Sequence, residues 1–106
     1  MGRNDNAGTA SNSYSTGSVT GNTHVGGLLG RNAGTVSNSF WDTQTSGQDN
    51  SAGGSGKTTA QMQDIDTFTG AGWDITAVSY GETNRDYTWN IVDSVAYPFL
   101  SWQPVV

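Results

Sequence analysis

Between Thr9 and Ser15 the side chains alternate so that Ala10, Asn12 and Tyr14 share one face of an extended segment, and Val36, Asn38 and Phe40 do so again further along. A bulge at either Asn would exchange the two faces. Ser18-Val19-Thr20 reads as a short strand and Val25 to Leu29 as the main apolar one. The turns fall at Ser15-Thr16-Gly17 and Thr20-Gly21-Asn22, where Gly and Asn supply positive φ. From Thr58 the pattern changes. Thr58-Thr59-Ala60-Gln61 forms a capping box, which predicts one short helix from Thr59 to Ile65 or Asp66, with Met62 and Ile65 inward and Phe68 packing as the chain leaves. Gly70-Ala71-Gly72 breaks that helix. Two strands follow, around Trp73-Asp74-Ile75 and Thr88-Trp89-Asn90-Ile91-Val92, joined by a polar loop over Tyr80 to Asp86. Tyr97-Pro98-Phe99-Leu100 and Trp102 close the chain, with Pro98 marking an edge or a turn.

The first half is a duplication. Asn6-Ala7-Gly8-Thr9 aligns with Asn32-Ala33-Gly34-Thr35, and the same 26-residue offset pairs Tyr14 with Phe40, Gly27 with Gly53 and Arg31 with Lys57. Gly2-Arg3-Asn4 also echoes Gly30-Arg31-Asn32. A fixed period of this length is the signature of stacked repeats. The expected fold is mainly β: a short parallel β-solenoid of about two 26-residue coils, residues 6–31 and 32–57 within a segment 1–57, closed by a C-terminal cap over 58–106 that holds one short helix and a few strands. Tyr14 would stack over Phe40 as an aromatic ladder, and Asn12 over Asn38 as an amide ladder. Val25, Leu28 and Leu29 would fill the first coil, and Trp73, Trp89, Trp102 and Phe99 the cap. The second copy erodes, with Ser51, Gly54 and Ser55 in place of Val25, Leu28 and Leu29, so Gly47 to Gly56 reads as a flexible loop over the end of the stack.

Composition agrees with repetition in place of a large core. Only 33% of the 106 residues are hydrophobic and 15 are Gly, yet 10% are aromatic and just two are Pro, which separates the chain from disordered sequences. A net charge of −5 with four scattered basic residues argues against nucleic acid and anionic membranes. No apolar run approaches the roughly 20 residues of a membrane span. Met1-Gly2-Arg3 does not open a signal peptide, so an export signal would belong to a longer precursor. With no cysteine, disulfides and thiolate metal sites are excluded.

Asn6-Ala7-Gly8-Thr9 through Tyr14-Ser15-Thr16-Gly17-Ser18-Val19, followed by Val25-Gly26-Gly27-Leu28-Leu29-Gly30, resembles the GLUG repeat of large bacterial surface and secreted proteins, including filamentous-haemagglutinin-type adhesins. The Gly56-Lys57-Thr58-Thr59 segment, the Trp-Asp-Ile and Trp-Asn-Ile strands and the Tyr-Pro-Phe-Leu ending resemble the terminal piece that follows such arrays. The resemblance implies an extracellular or cell-surface location, a role in attachment or matrix, and no catalytic residues. It also implies neighbouring repeats, or end-to-end self-stacking, as partners.

Candidate chemistry is sparse. Ser51-Ala52-Gly53-Gly54-Ser55-Gly56-Lys57-Thr58 imitates a phosphate-binding loop, but position 51 is Ser where Gly is required and no apolar strand precedes it. Trp41 and Asp42 are the candidate ligand-binding residues, an aromatic face beside a hydrogen-bonding group suited to a glycan or a host surface. No cofactor is expected. Calcium is the one ion considered, because Asp42, Asp49, Asp64, Asp66 and Asp74 offer hard oxygen ligands, although none has EF-hand spacing. No carboxylate pair clusters as glycoside cleavage requires, and His24 reads as a loop residue. The functional expectation is a non-catalytic structural or adhesive module, with a carbohydrate-binding module using exposed aromatics as the alternative.

Overall fold

A computed structural model describes residues 1–103 of the chain. The chain divides into two compact units, Met1–Thr59 and a second beginning at Ala60. The first contains strands β1 (Arg3–Asn4), β2 (Thr9–Ser11), β3 (Tyr14–Ser15), β4 (Arg31–Asn32), β5 (Thr35–Ser37) and β6 (Phe40–Asp42), helix α1 (Thr43–Ser46) and strand β7 (Ser55–Lys57). Asn12 and Asn38 interrupt the strands at equivalent places, with φ of 47° and 49°. Asn tolerates this left-handed conformation because its short polar side chain can bond locally. β2 is thereby separated from β3, and β5 from β6.

The duplicated segments pair in parallel. Thr9 lies opposite Thr35 and Ala10 opposite Val36, and Tyr14 meets Phe40 as the repeat predicts. Beside Asn12 and Asn38 the following serines also join the copies: Ser13 N–H donates to Ser39 Oγ (3.2 Å), while each hydroxyl donates to a carbonyl of its own copy, Ser11 and Ser37. The alignment also sets Asn6 against Asn32, whereas the structure places Asn4 there. Asn4 is buried and its amide donates to Asn32 Oδ1 (2.9 Å) and Thr35 O (3.1 Å), while Asn6 is exposed. The loop from β1 to β2 therefore holds two residues more than its counterpart between β4 and β5.

The expected β-solenoid does not form. The strands make separate sheets of two or three, none of them closed, and with three short helices the whole is mixed α/β. β7 carries the physical reason. Ser55, Gly56 and Lys57 pair with Phe40, Trp41 and Asp42, an offset of 15 residues in place of 26. With Ser51, Gly54 and Ser55 where the first copy has Val25, Leu28 and Leu29, the second copy has no apolar strand to build another coil. α1 follows β6 directly and the chain returns onto β6 early. Nor does Val25 to Leu29 form a strand: it is irregular, with Leu28 and Leu29 buried against Trp41 and Val36 packed beside them. Val25 is half-buried, and Ser18 to Thr20 is likewise irregular.

The second unit holds a three-stranded sheet. β8 (Ile75–Ala77) runs parallel to β9 (Trp89–Ile91), and β10 (Phe99–Leu100) antiparallel to it, in the order β8-β9-β10. The single helix expected here is two, α2 (Thr59–Met62) and α3 (Ile65–Thr69). Asp64 divides them because its carboxylate accepts from Asp66 N–H (2.9 Å) and caps α3. Met62, Phe68, Trp73, Ile75 and Ile91 form the buried apolar interior. Trp73 sits 4.8 Å from Phe68 and 4.9 Å from Trp89, ring centre to ring centre, in the tilted arrangement aromatic pairs favour. Phe99 is half-buried. Trp102, expected in this interior, is instead 64% exposed. Among the described residues no helix is long and apolar enough to cross a membrane.

Candidate functional site

Trp41 and Asp42 lie in β6, bonded on one side to β3 and on the other to β7. Trp41 is 6% exposed. Its indole N–H donates to Gln48 O (2.8 Å), and its ring is wedged between Gly27 and Gly56, which approach too closely to carry a side chain. Asp42 is completely buried and acts as the N-cap of α1. Its carboxylate accepts from the N–H groups of Gln44 (2.8 Å) and Thr45 (3.0 Å) and from the Thr59 hydroxyl (2.6 Å). Both residues are engaged in holding the first unit together, and neither presents a face to a ligand.

The other acidic candidates are dispersed. Asp64 caps α3, and Asp74 accepts from the backbone N–H (3.0 Å) and hydroxyl (2.9 Å) of Thr88. Asp49 and Asp66 are exposed. Among the described residues, no three His, Asp or Glu side chains come together to hold a metal ion. Lys57 of the apparent phosphate loop lies in β7, with its ammonium 5.9 Å from the centre of the Phe40 ring.

A shallow cavity of about 290 Å³ opens in the first unit beside His24, Ser15, Thr20 and Thr23. His24 adopts φ 51°. The cavity lining holds no carboxylate to orient the imidazole, and among the described residues no hydrogen bond joins His24 to a hydroxyl. Its lining is mixed, with Met1, Val19 and Val25 beside the hydroxyls.

The backbone supplies the more definite feature. Among the described residues β1, β2 and β3 each pair with one neighbouring strand. Thr35 N–H donates to Gly8 O (3.0 Å) and Asn12 N–H to Ser37 O (3.3 Å), which fixes the phase of the ladder. Backbone groups alternate in direction along a strand, so Ala10 faces β5 while the N–H groups of Thr9 and Ser11 face away from it. These outward groups form a free parallel edge on the first copy of the repeat.

Three structural residues escaped the sequence reading. Asn4 links the two copies. The Ser51 hydroxyl accepts from Leu28 N–H (3.2 Å) and Leu29 N–H (2.8 Å), and so satisfies the irregular Val25 to Leu29 segment. Fully buried Asn90 holds Asn84 by both its N–H (2.7 Å) and its carbonyl (2.9 Å). Asn4 carried a signal in the echo of Gly30-Arg31-Asn32 by Gly2-Arg3-Asn4, whereas Ser51 stood in an expected loop and Asn90 in an expected strand with nothing to mark them. Comparison of the chain with protein-family models, with curated proteins and with solved structures returns no match, so the GLUG-like resemblance rests on the residues that carry it.

Proposed function

We propose that the chain is a non-catalytic structural and adhesive module of a bacterial surface or secreted repeat protein, and that it works by pairing strand edges with a further copy of the repeat unit. The observation that carries this reading is the in-register parallel pairing of the two copies, Thr9-Ala10-Ser11 on Thr35-Val36-Ser37, beside a first-copy edge with outward N–H groups still free. A strand that already bonds one copy of this motif on its inner edge offers equivalent backbone geometry on the outer one. Unpaired edges of this kind are templates for a further strand. Attachment to a host or matrix surface is the role the family resemblance suggests for such a module.

The test is sedimentation velocity over a concentration series. Self-association is expected to increase with concentration and to be lost in Thr9→Pro, which removes one outward donor without touching the groups bonded to β5. Circular dichroism should remain unchanged in that variant. A chain that stays monomeric throughout, or association that Thr9→Pro leaves intact, refutes the reading.

A further inference from the structure

Thr59 is held at two of its polar groups by side chains of one short segment. Its hydroxyl donates to Asp42 Oδ2 (2.6 Å), on a carboxylate with no exposed surface, and its backbone N–H donates to the side-chain carbonyl of Gln44 (2.8 Å). The second carboxylate oxygen of Asp42 serves α1, accepting from the N–H groups of Gln44 (2.8 Å) and Thr45 (3.0 Å). Alongside, β7 lies in register on β6, and the Thr43 hydroxyl donates to Lys57 O (3.2 Å).

An alcohol bonded to a buried carboxylate, next to a carbonyl oxygen that accepts an N–H, brings together the parts of an acyl transfer: a nucleophile, a general base and a donor for the developing oxyanion. The Gln44 amide carbon is one bond from the oxygen that Thr59 N–H holds, and Thr59 Oγ1 belongs to the same residue as that N–H. Gln44 is exposed, so rotation about its side-chain torsions turns the carbon toward the hydroxyl and its amide nitrogen can leave into water. Holding both groups on one residue makes the encounter intramolecular.

We infer that Thr59 and Gln44 join through a side-chain ester, a one-time intramolecular cross-link that staples β7 to β6. Thr59 Oγ1 bonds to Gln44 Cδ as the Cδ–Nε2 bond breaks, and Asp42 takes the hydroxyl proton and passes it to Nε2, which departs as ammonia. An amide and an alcohol become an ester and ammonia, with no change of oxidation state. The chain has no cysteine, and β7 is three residues long. The ester closes a loop over residues 44–59 that contains β7, and closing a loop restricts the unfolded chain as a disulfide does. This modification is independent of edge pairing by β2.

The experiment is mass-spectrometric peptide mapping of the full chain, folded first and then unfolded and digested with trypsin. Cleavage after Arg31, Lys57 and Arg85 places Gln44 and Thr59 on separate peptides, 32–57 and 58–85. The two should instead appear joined, lighter by one ammonia than their sum, and hydroxylamine, which cleaves esters, should release them. Thr59→Ser keeps the nucleophile and should keep the joined peptide. Thr59→Val removes the nucleophile and Gln44→Ala the acyl group, so both should give separate peptides with circular dichroism unchanged. Asp42→Asn keeps an oxygen to cap α1 but loses the base, and should also give them separate. Separate, unmodified peptides from the parent chain overturn the inference. So does ammonia lost within a single peptide, as from an asparagine, or a joined peptide that persists in Thr59→Val or Asp42→Asn.

Discussion

Gly27→Ala should destabilise the first unit more than any exposed substitution. A methyl group at Gly27 would overlap Cδ1, Nε1 and Cγ of the Trp41 indole. The indole has nowhere to move. Its far edge is closed by Gly56, where an added Cβ would lie 2.9 Å from Trp41 Cζ2, and Leu28 and Leu29 pack with it in the buried cluster. Accommodation therefore requires the ring to tilt and break the bond from its N–H to Gln48 O (2.8 Å). Overpacking of this kind costs about 1–3 kcal/mol, and leaving a buried donor without its partner costs about 1–3 kcal/mol more. The expected loss is roughly 2–6 kcal/mol, a large part of the roughly 5–15 kcal/mol that holds a domain folded. Urea unfolding followed by tryptophan fluorescence and circular dichroism measures it. The mechanism makes a sharper demand through a double-mutant cycle. Trp41→Ala alone should cost about 3–5 kcal/mol, but adding Gly27→Ala to it should cost almost nothing, because the methyl then occupies vacated space. A Gly27→Ala cost below about 0.5 kcal/mol, or costs that add within that margin, would refute the wedge.

Other perturbations test separate contacts. Asp42→Ala removes the α1 cap and the partner of the Thr59 hydroxyl, and should lower stability by about 2–4 kcal/mol in the same unfolding assay. Leu29→Ala empties a fully buried position beside Trp41 and should cost about 2–5 kcal/mol. Asn90→Ala frees both backbone groups of Asn84, so hydrogen exchange at the Asn84 amide should accelerate while the amides of β8 and β9 stay protected. Uniform acceleration across the sheet would show that Asn90 supports the fold as a whole and not the loop.

The duplication made part of the first unit legible. Identical Thr and Ser at equivalent positions, with an aromatic at 14 and 40, give two segments whose like side chains align when they pair in parallel and in phase, and the structure pairs Thr9 with Thr35 and Tyr14 with Phe40. The repeat length did not determine how the second copy ends. That depended on local competition: Asp42 captures the N–H groups of Gln44 and Thr45, starts α1 immediately after β6, and Gly47 at φ 73° ends it one turn later. A helix placed there spends residues that a second full coil would need, and no count of period registers it. Asn4 shows the same limit. Two candidate asparagines precede Thr9, Asn6 by the 26-residue offset and Asn4 by the match of Gly2-Arg3-Asn4 to Gly30-Arg31-Asn32, and reach to Asn32 Oδ1 and Thr35 O selects Asn4.

The candidate site was harder to read because exposure, not residue type, decides it. Trp41 and Trp102 are chemically equal in the sequence, and Asp42 beside Trp41 made that pair look like the surface one. Burial reversed the assignment. Trp41 occupies the central strand of β3-β6-β7, where neighbouring strands cover both edges and glycines press on the ring, while Trp102 follows the end of β10 at a turn held by Gln103. Glycine at 27 and again at 56 signals space made for a large ring, because glycine there removes side chains that would otherwise fill the gap. Trp102 has no such complement: no glycine lies between Pro98 and Gln103 to clear room for an indole. Whether small residues stand where a large side chain must fit thus separates the packed aromatic from the displayed one.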